Sequence, residues 1–142
     1  MIQTAHAEWR GTVREGTGLI SLGSGSFSGG YSYPSRFESG AGTNPEELLA
    51  ASHAGCFSMA LASTLGRAGF KPVSVETKAA AHLEKVGERF AITRIELTTA
   101  VQCPNLDEAG LDQFGNSAKI NCPISKALAG TEIVLSARLI GI

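Results

Sequence analysis

Two cysteines carry the most specific chemistry in this sequence. Cys56 stands in His53-Ala54-Gly55-Cys56-Phe57, and Cys122 stands 66 residues later in Asn121-Cys122-Pro123. Pro123 suits the first position of a short helix, and helix N-termini favour thiolates. A thiolate that attacks a peroxide oxygen becomes a sulfenic acid, and a second thiol condenses with it to a disulfide. An external reductant must then restore both thiols. Read alone, Cys56 is also what most cysteines are, a small buried hydrophobe, and Cys122 a packing residue at a helix junction. An apolar pocket raises the pKa of a lone thiol, so reactivity at Cys56 requires a cation.

Arg36 is the natural cation. It follows a glycine-rich segment in Tyr33-Pro34-Ser35-Arg36-Phe37-Glu38. A guanidinium stabilises a thiolate, and its fork of donors can hold an oxygen-bearing substrate. A desolvated arginine needs an anion, and Glu46 is available. Spacing leaves open the alternative of two solvated, uncoupled surface groups. Phe37, Phe57, Met59 and Phe114 could line a site for an apolar substrate, or serve as plain core. Cys103 reads as a spare thiol at a strand end. His53 lies one turn before Cys56, so a metal site with Cys122, Cys103 or His82 is conceivable. No CxxC or HxxxH accompanies it, so no metal is expected and a hydrogen-bonded packing histidine is the simpler reading.

These residues need elements to position them. Gln3, Ala5, Ala7 and Trp9 alternate with Thr4, His6 and Glu8 as in a half-buried strand, and Leu19–Leu22 reads as its return. Residues 23–35, rich in Gly and Ser, read as a loop. Asn44, Pro45 and Glu47 form a helix start of cap, first-position proline and acid three residues after the cap. The helix predicted from Leu48 to about Ala68 carries no charge through residue 65 and has no polar face, so it is expected to be buried all round. Val73, Val75, Thr77, Ala79, Ala81 and Leu83 face one way on a strand that turns at residues 85–88. Residues 89–102 return as a second strand. Helices are predicted over 107–121 and 123–128, and a last strand over 131–140. The order of strands, helix, strands, helix, strand is that of an α+β fold with antiparallel sheets.

Composition narrows the partners. With 142 residues a single domain over 1–142 is expected. Twelve Lys and Arg balance thirteen Asp and Glu, a formal charge of −1 that supplies no field for nucleic acid. No apolar run is expected to span a membrane. The first ten residues lack the pattern of a secretory signal, and three cysteines are too few for a disulfide scaffold. A reducing cytoplasm is therefore expected.

Arg36-Phe37-Glu38, the run from Gly42 through Asn44-Pro45-Glu46-Glu47 to Ala54-Gly55-Cys56-Phe57 and Leu61, and Asn121-Cys122-Pro123-Ile124-Ser125 resemble the osmotically inducible protein C (OsmC) family. That family shares a superfamily with the organic hydroperoxide resistance proteins. The resemblance implies an intertwined α+β homodimer with central, buried cysteine helices. It also implies a thiol-dependent peroxidase that reduces organic hydroperoxides, fatty-acid hydroperoxides included, to alcohols in oxidative and osmotic stress defence. Cys56 then matches the peroxidatic cysteine, Cys122 the resolving one, Arg36 the activating arginine and Glu46 its partner. The expected reductant is a dithiol such as a lipoylated protein, with no cofactor. A non-catalytic redox sensor or a hydrophobic-ligand binder on the same fold is the alternative, as is a metal-binding protein using His53 and Cys56.

Overall fold

The computed structural model describes residues 1–141. The chain divides into two compact units, Met1–Leu48 and the residues from Leu49 onward. In the first unit, β1 (Ala5–Arg10), β2 (Thr17–Leu22) and β3 (Ser28–Tyr31) form an antiparallel sheet in that order. A short helix, α1 (Tyr33–Phe37), follows.

Strand β3 and the start of helix α1 lie in the segment, residues 23–35, expected to be a loop. The strand has no apolar alternation and exists because Gly18 to Ser21 of β2 offer it pairing partners. Helix α1 is nucleated locally. The Ser32 hydroxyl accepts from the Ser35 amide, and the Ser35 hydroxyl accepts from the Ser32 amide. Gly18 shows why the region is rich in glycine. A Cβ there would stand 2.3 Å from the Tyr31 ring and 2.7 Å from the Trp9 ring. Only a bare Cα lets those two rings meet across the sheet, at a centroid distance of 5.3 Å.

Helix α2 (Pro45–Arg67) starts as its sequence signature requires. Asn44 Oδ1 accepts from the Glu47 amide at 2.7 Å, and the Thr43 hydroxyl donates to the Glu47 carboxylate at 2.8 Å.

In the second unit α2 is followed by β4 (Ser74–Val86), β5 (Arg89–Gln102), α3 (Glu108–Asn121), α4 (Pro123–Ala127) and β6 (Glu132–Leu139). β4 and β5 form a long antiparallel hairpin turned at Gly87, whose φ of +64° suits glycine. β6 pairs with β5 in parallel, a departure from the expected antiparallel sheet. The intervening α3 and α4 carry the chain back to the other end of the sheet, which permits that direction.

Leu61, Leu65, Phe57, Ile95, Leu97, Val101 and Leu111 form the core of this unit. Burying each such side chain contributes about 1.5–3 kcal/mol relative to exposure. On α2 beyond Leu48 the buried positions are His53, Phe57, Leu61 and Leu65, one stripe at a spacing of four. A hydroxyl ladder reinforces it: Ser58 donates to Thr77 at 2.9 Å, Thr77 to Thr99 at 3.0 Å, and Thr99 to the Glu76 carbonyl at 3.1 Å.

The expectation that α2 is buried on every side does not hold within one chain. Ala51, Ser52, Gly55, Met59, Ser63 and Gly66 form an exposed face, with Met59 at 77% exposure. Uniform apolarity could not distinguish a face covered by the same chain from one that is bare in it. Helix α2 is also long and apolar enough to cross a membrane by those criteria alone, against the expectation that no such run exists. Its stripe from His53 to Leu65 is instead enclosed in the core.

Candidate active site

The second unit brings the two cysteines together. Cys56, half-buried on α2, has its Sγ 2.9 Å from Sγ of Cys122. That is about 0.9 Å longer than a disulfide bond, and both residues are free thiols. Cys122 is fully buried and sits between two helices, at the C-cap of α3 and the N-cap of α4. Its amide closes α3 on the Ala118 carbonyl at 2.9 Å, and its carbonyl accepts the Lys126 amide at 3.0 Å. Pro123 prevents α3 from continuing, because the residue before a proline is driven out of the helical region, and Cys122 has a ψ of 123°.

The surroundings treat the sulfurs differently. Burial pushes the Cys56 thiol up, and sharing a proton with Cys122 adds to this; a single contact with the Ile124 amide opposes it. Burial also acts to raise Cys122. There it is outweighed by hydrogen bonds from the Cys56 thiol, from the Ser125 amide and hydroxyl, and from the Ile124 amide, so the net direction is down. Within this unit Cys122 is therefore the sulfur that gives up its proton more readily. Cys56 needs a cation from elsewhere to be the attacking thiolate.

His53 completes this unit's polar interior. It is fully buried, its Nε2 lies 2.8 Å from the Ser125 hydroxyl, and burial pulls its pKa below 6.5, so the ring is neutral. Sequence reasoning passed over Ser125. Its contact with His53 joins residues 72 apart, and no local pattern announces it. Among the described residues no three His, Cys, Asp or Glu side chains gather as a metal site. Cys103 is packed in the core with its thiol pushed up by burial, which makes it the least reactive kind of cysteine. Phe57 is wholly enclosed in the same core, so it packs and does not line a substrate channel. Phe114 packs against that core, its ring 5.7 Å from Phe70.

The first unit brings together the other expected pair. Arg36 Nη2 donates to Glu46 Oε1 at 2.7 Å, and its Nε donates to the same oxygen at 3.0 Å. The Glu46 side chain is 9% exposed and that of Arg36 39%, so a buried carboxylate holds a partly open guanidinium. Of the two readings that spacing left open, the structure takes the coupled one. Arg36 also borders a cavity of about 210 Å³ lined by Trp9, Tyr31, Tyr33 and Phe37. The Tyr33 and Phe37 rings pack at 4.8 Å, and the Arg14 guanidinium sits 4.6 Å above Tyr33.

Two thiols within bonding reach, on an α+β fold with a long central cysteine helix, define a class of vicinal-thiol protein. The family profile described as OsmC-like protein matches residues 38–137. The peroxiredoxin OsmC of Escherichia coli strain K12 is 45% identical over 134 residues, which cover 94% of this chain and 93% of that protein. An organic hydroperoxide resistance protein of Xanthomonas axonopodis pv. citri is 35% identical over 92 residues, 64% of this chain and 63% of that one. Among solved structures, the organic hydroperoxide resistance protein OhrB of Bacillus subtilis superposes with a TM-score of 0.73. It is 28% identical and covers 95% of this chain and 98% of its own. An OsmC-like protein from Vibrio cholerae shares the fold at a TM-score of 0.76 and 18% identity, covering 97% of this chain and 99% of that chain. The chain belongs to the OsmC family.

Proposed function

We propose that this chain is a cysteine-based peroxidase, one OsmC-like domain over 1–142, that reduces organic hydroperoxides to alcohols. The observation that carries the reading is the 2.9 Å approach of Cys56 and Cys122 sulfurs. The relatives named peroxiredoxin and organic hydroperoxide resistance protein support it.

The chemistry runs in three balanced steps. The Cys56 thiolate attacks the outer oxygen of ROOH. The O–O bond breaks, the alkoxide takes a proton and leaves as ROH, and Cys56 becomes a sulfenic acid. Cys122 then attacks the Cys56 sulfur, and the hydroxyl departs with a proton as water. A dithiol, such as a lipoylated protein, finally reduces the disulfide and is itself oxidised to a disulfide. The Arg36–Glu46 pair supplies the cation that the Cys56 surroundings lack, and Arg36 orients the peroxide.

The aromatic cavity beside Arg36 suits an apolar tail, with Phe37 in its wall, and fatty-acid hydroperoxides fall in the same class. Met59, exposed three residues after Cys56, belongs either to that substrate path or to the surface facing a second copy. A homodimer is the proposed assembly, because the bare small-residue face of α2 is suited to close helix packing. Three free thiols suit a cytoplasmic setting.

Stopped-flow oxidation by an alkyl hydroperoxide tests the reading. Cys56→Ser is expected to abolish peroxide consumption. Retention of the unaltered rate in that variant would refute it.

A further inference from the structure

His53 is an expensive residue for its position. It stands in the stripe with Phe57, Leu61 and Leu65, all of them fully buried, where an apolar side chain would satisfy the packing. Its Nε2 meets the Ser125 hydroxyl at 2.8 Å, while its Nδ1 is buried with no hydrogen-bond partner. Ser125 is itself buried and is the third residue of α4, whose N-cap is Cys122, so it stands one turn from that sulfur, and its amide and hydroxyl act to pull the Cys122 thiol down.

The donors in this cluster settle its direction. If Nδ1 carried the ring proton, a buried N–H would be left unmade, and the one Ser125 hydrogen would be turned toward Nε2. If Nε2 carries it, the Ser125 oxygen accepts from His53, and the Ser125 O–H is released to donate to the Cys122 sulfur. The second arrangement uses every donor and strands only an acceptor lone pair. Resting on the peroxidase reading, it also assigns an order to reductive recycling. Cys122 Sγ is enclosed, whereas Cys56 is half-exposed, so a dithiol can reach only the Cys56 sulfur. Its thiolate bonds to Cys56, the S–S bond breaks, and the electron pair leaves on Cys122. The second thiol of the reductant then attacks the mixed disulfide and releases Cys56, and its two protons end on the two cysteines.

We propose that His53 and Ser125 are a positioning pair for Cys122, a donor relay that holds it as the leaving sulfur when a dithiol attacks the disulfide at Cys56.

The test is the redox equilibrium of the full-length protein, with the disulfide formed by diamide and equilibrated against dithiothreitol. A stabilised Cys122 thiolate favours the reduced form, so removing its donor favours the disulfide. Ser125→Ala is expected to shift the equilibrium about tenfold toward the disulfide, which is about 30 mV more negative. Ser125→Thr keeps the hydroxyl and is expected to restore the unaltered value. His53→Leu removes the group that orients the Ser125 hydroxyl but leaves its O–H, so it should shift the equilibrium in the same direction by less, and His53→Gln, which retains an N–H donor, should recover part of that shift. Equal potentials in the unaltered protein, Ser125→Ala and His53→Leu would overturn the relay. The peroxidase reading is tested separately, by hydroperoxide oxidation of the unaltered protein. Diamide needs no hydroperoxide chemistry, so either idea can fail without the other.

Discussion

The two units hold different chemical groups. The unit from Leu49 onward holds both sulfurs in contact, yet its own burial and hydrogen bonds pull the Cys122 thiol down and push the Cys56 thiol up. The unit ending at Leu48 holds no thiol among the pair. It contains a guanidinium clamped by a buried carboxylate at 2.7 Å, beside an aromatic cavity. One unit has the two thiols, with Cys56 the less acidic, and the other has the cation and the apolar recess. The contrast teaches that proximity of two cysteines is a condition for disulfide chemistry but does not choose which one attacks a peroxide. The choice falls to a cation.

Breaking the sulfur side should have the larger effect. Cys122→Ser is expected to leave the first oxidation of Cys56 in place and, in the absence of dithiol, to let Cys56 overoxidise. Mass spectrometry after excess peroxide should then find Cys56 carrying two or three oxygens, since nothing rescues the sulfenic acid. On the charge side, Arg36→Ala should slow the first oxidation by about a hundredfold. It should also move the pH midpoint of Cys56 alkylation upward, because the proposed counter-charge of the thiolate is lost. Glu46→Gln should move both in the same direction by less, since the guanidinium remains but is no longer held.

The cavity sharpens the contrast by substrate. Tyr33→Ala should raise KM for an aryl hydroperoxide by about tenfold, the worth of roughly 1.5 kcal/mol of apolar contact, while hydrogen peroxide turnover is unmoved. The smallest expected effect is on stability. Neutral, buried His53 resists a proton that the unfolded chain accepts near pH 6.5, so the unfolded state binds more protons below that value. Stability from this group is therefore intact above pH 6.5 and falls as the pH drops, by at most about 1.4 kcal/mol per pH unit. Urea unfolding between about pH 7.5 and 5.5 should show a shallower loss in His53→Gln than in the unaltered protein.

Much of the scaffold was legible because its signals are local. Asn44-Pro45 fixed the start of α2, alternation fixed β4 and β5, and the proline after Cys122 marked the junction of α3 and α4. What stayed hidden depends on distant partners. β3 has no alternation of its own and is held by β2, and nothing in the alternation of β6 states that it runs parallel to β5. The bare face of α2 has the same small apolar residues as a buried one. At the site, the residue types named Cys56, Cys122, Arg36 and Glu46, and the fold joins them as two pairs. The contact of His53 with Ser125 had no sequence signature, because a polar side chain in a core stripe looks like an interruption until its partner is known.

Peptide mass spectrometry of the reduced protein after one equivalent of an organic hydroperoxide tests the central claim most directly. The expected product is a linkage between the peptides bearing Cys56 and Cys122, with Cys103 still a free thiol. A linkage through Cys103, or a Cys56 that remains unoxidised while the hydroperoxide persists, would contradict it.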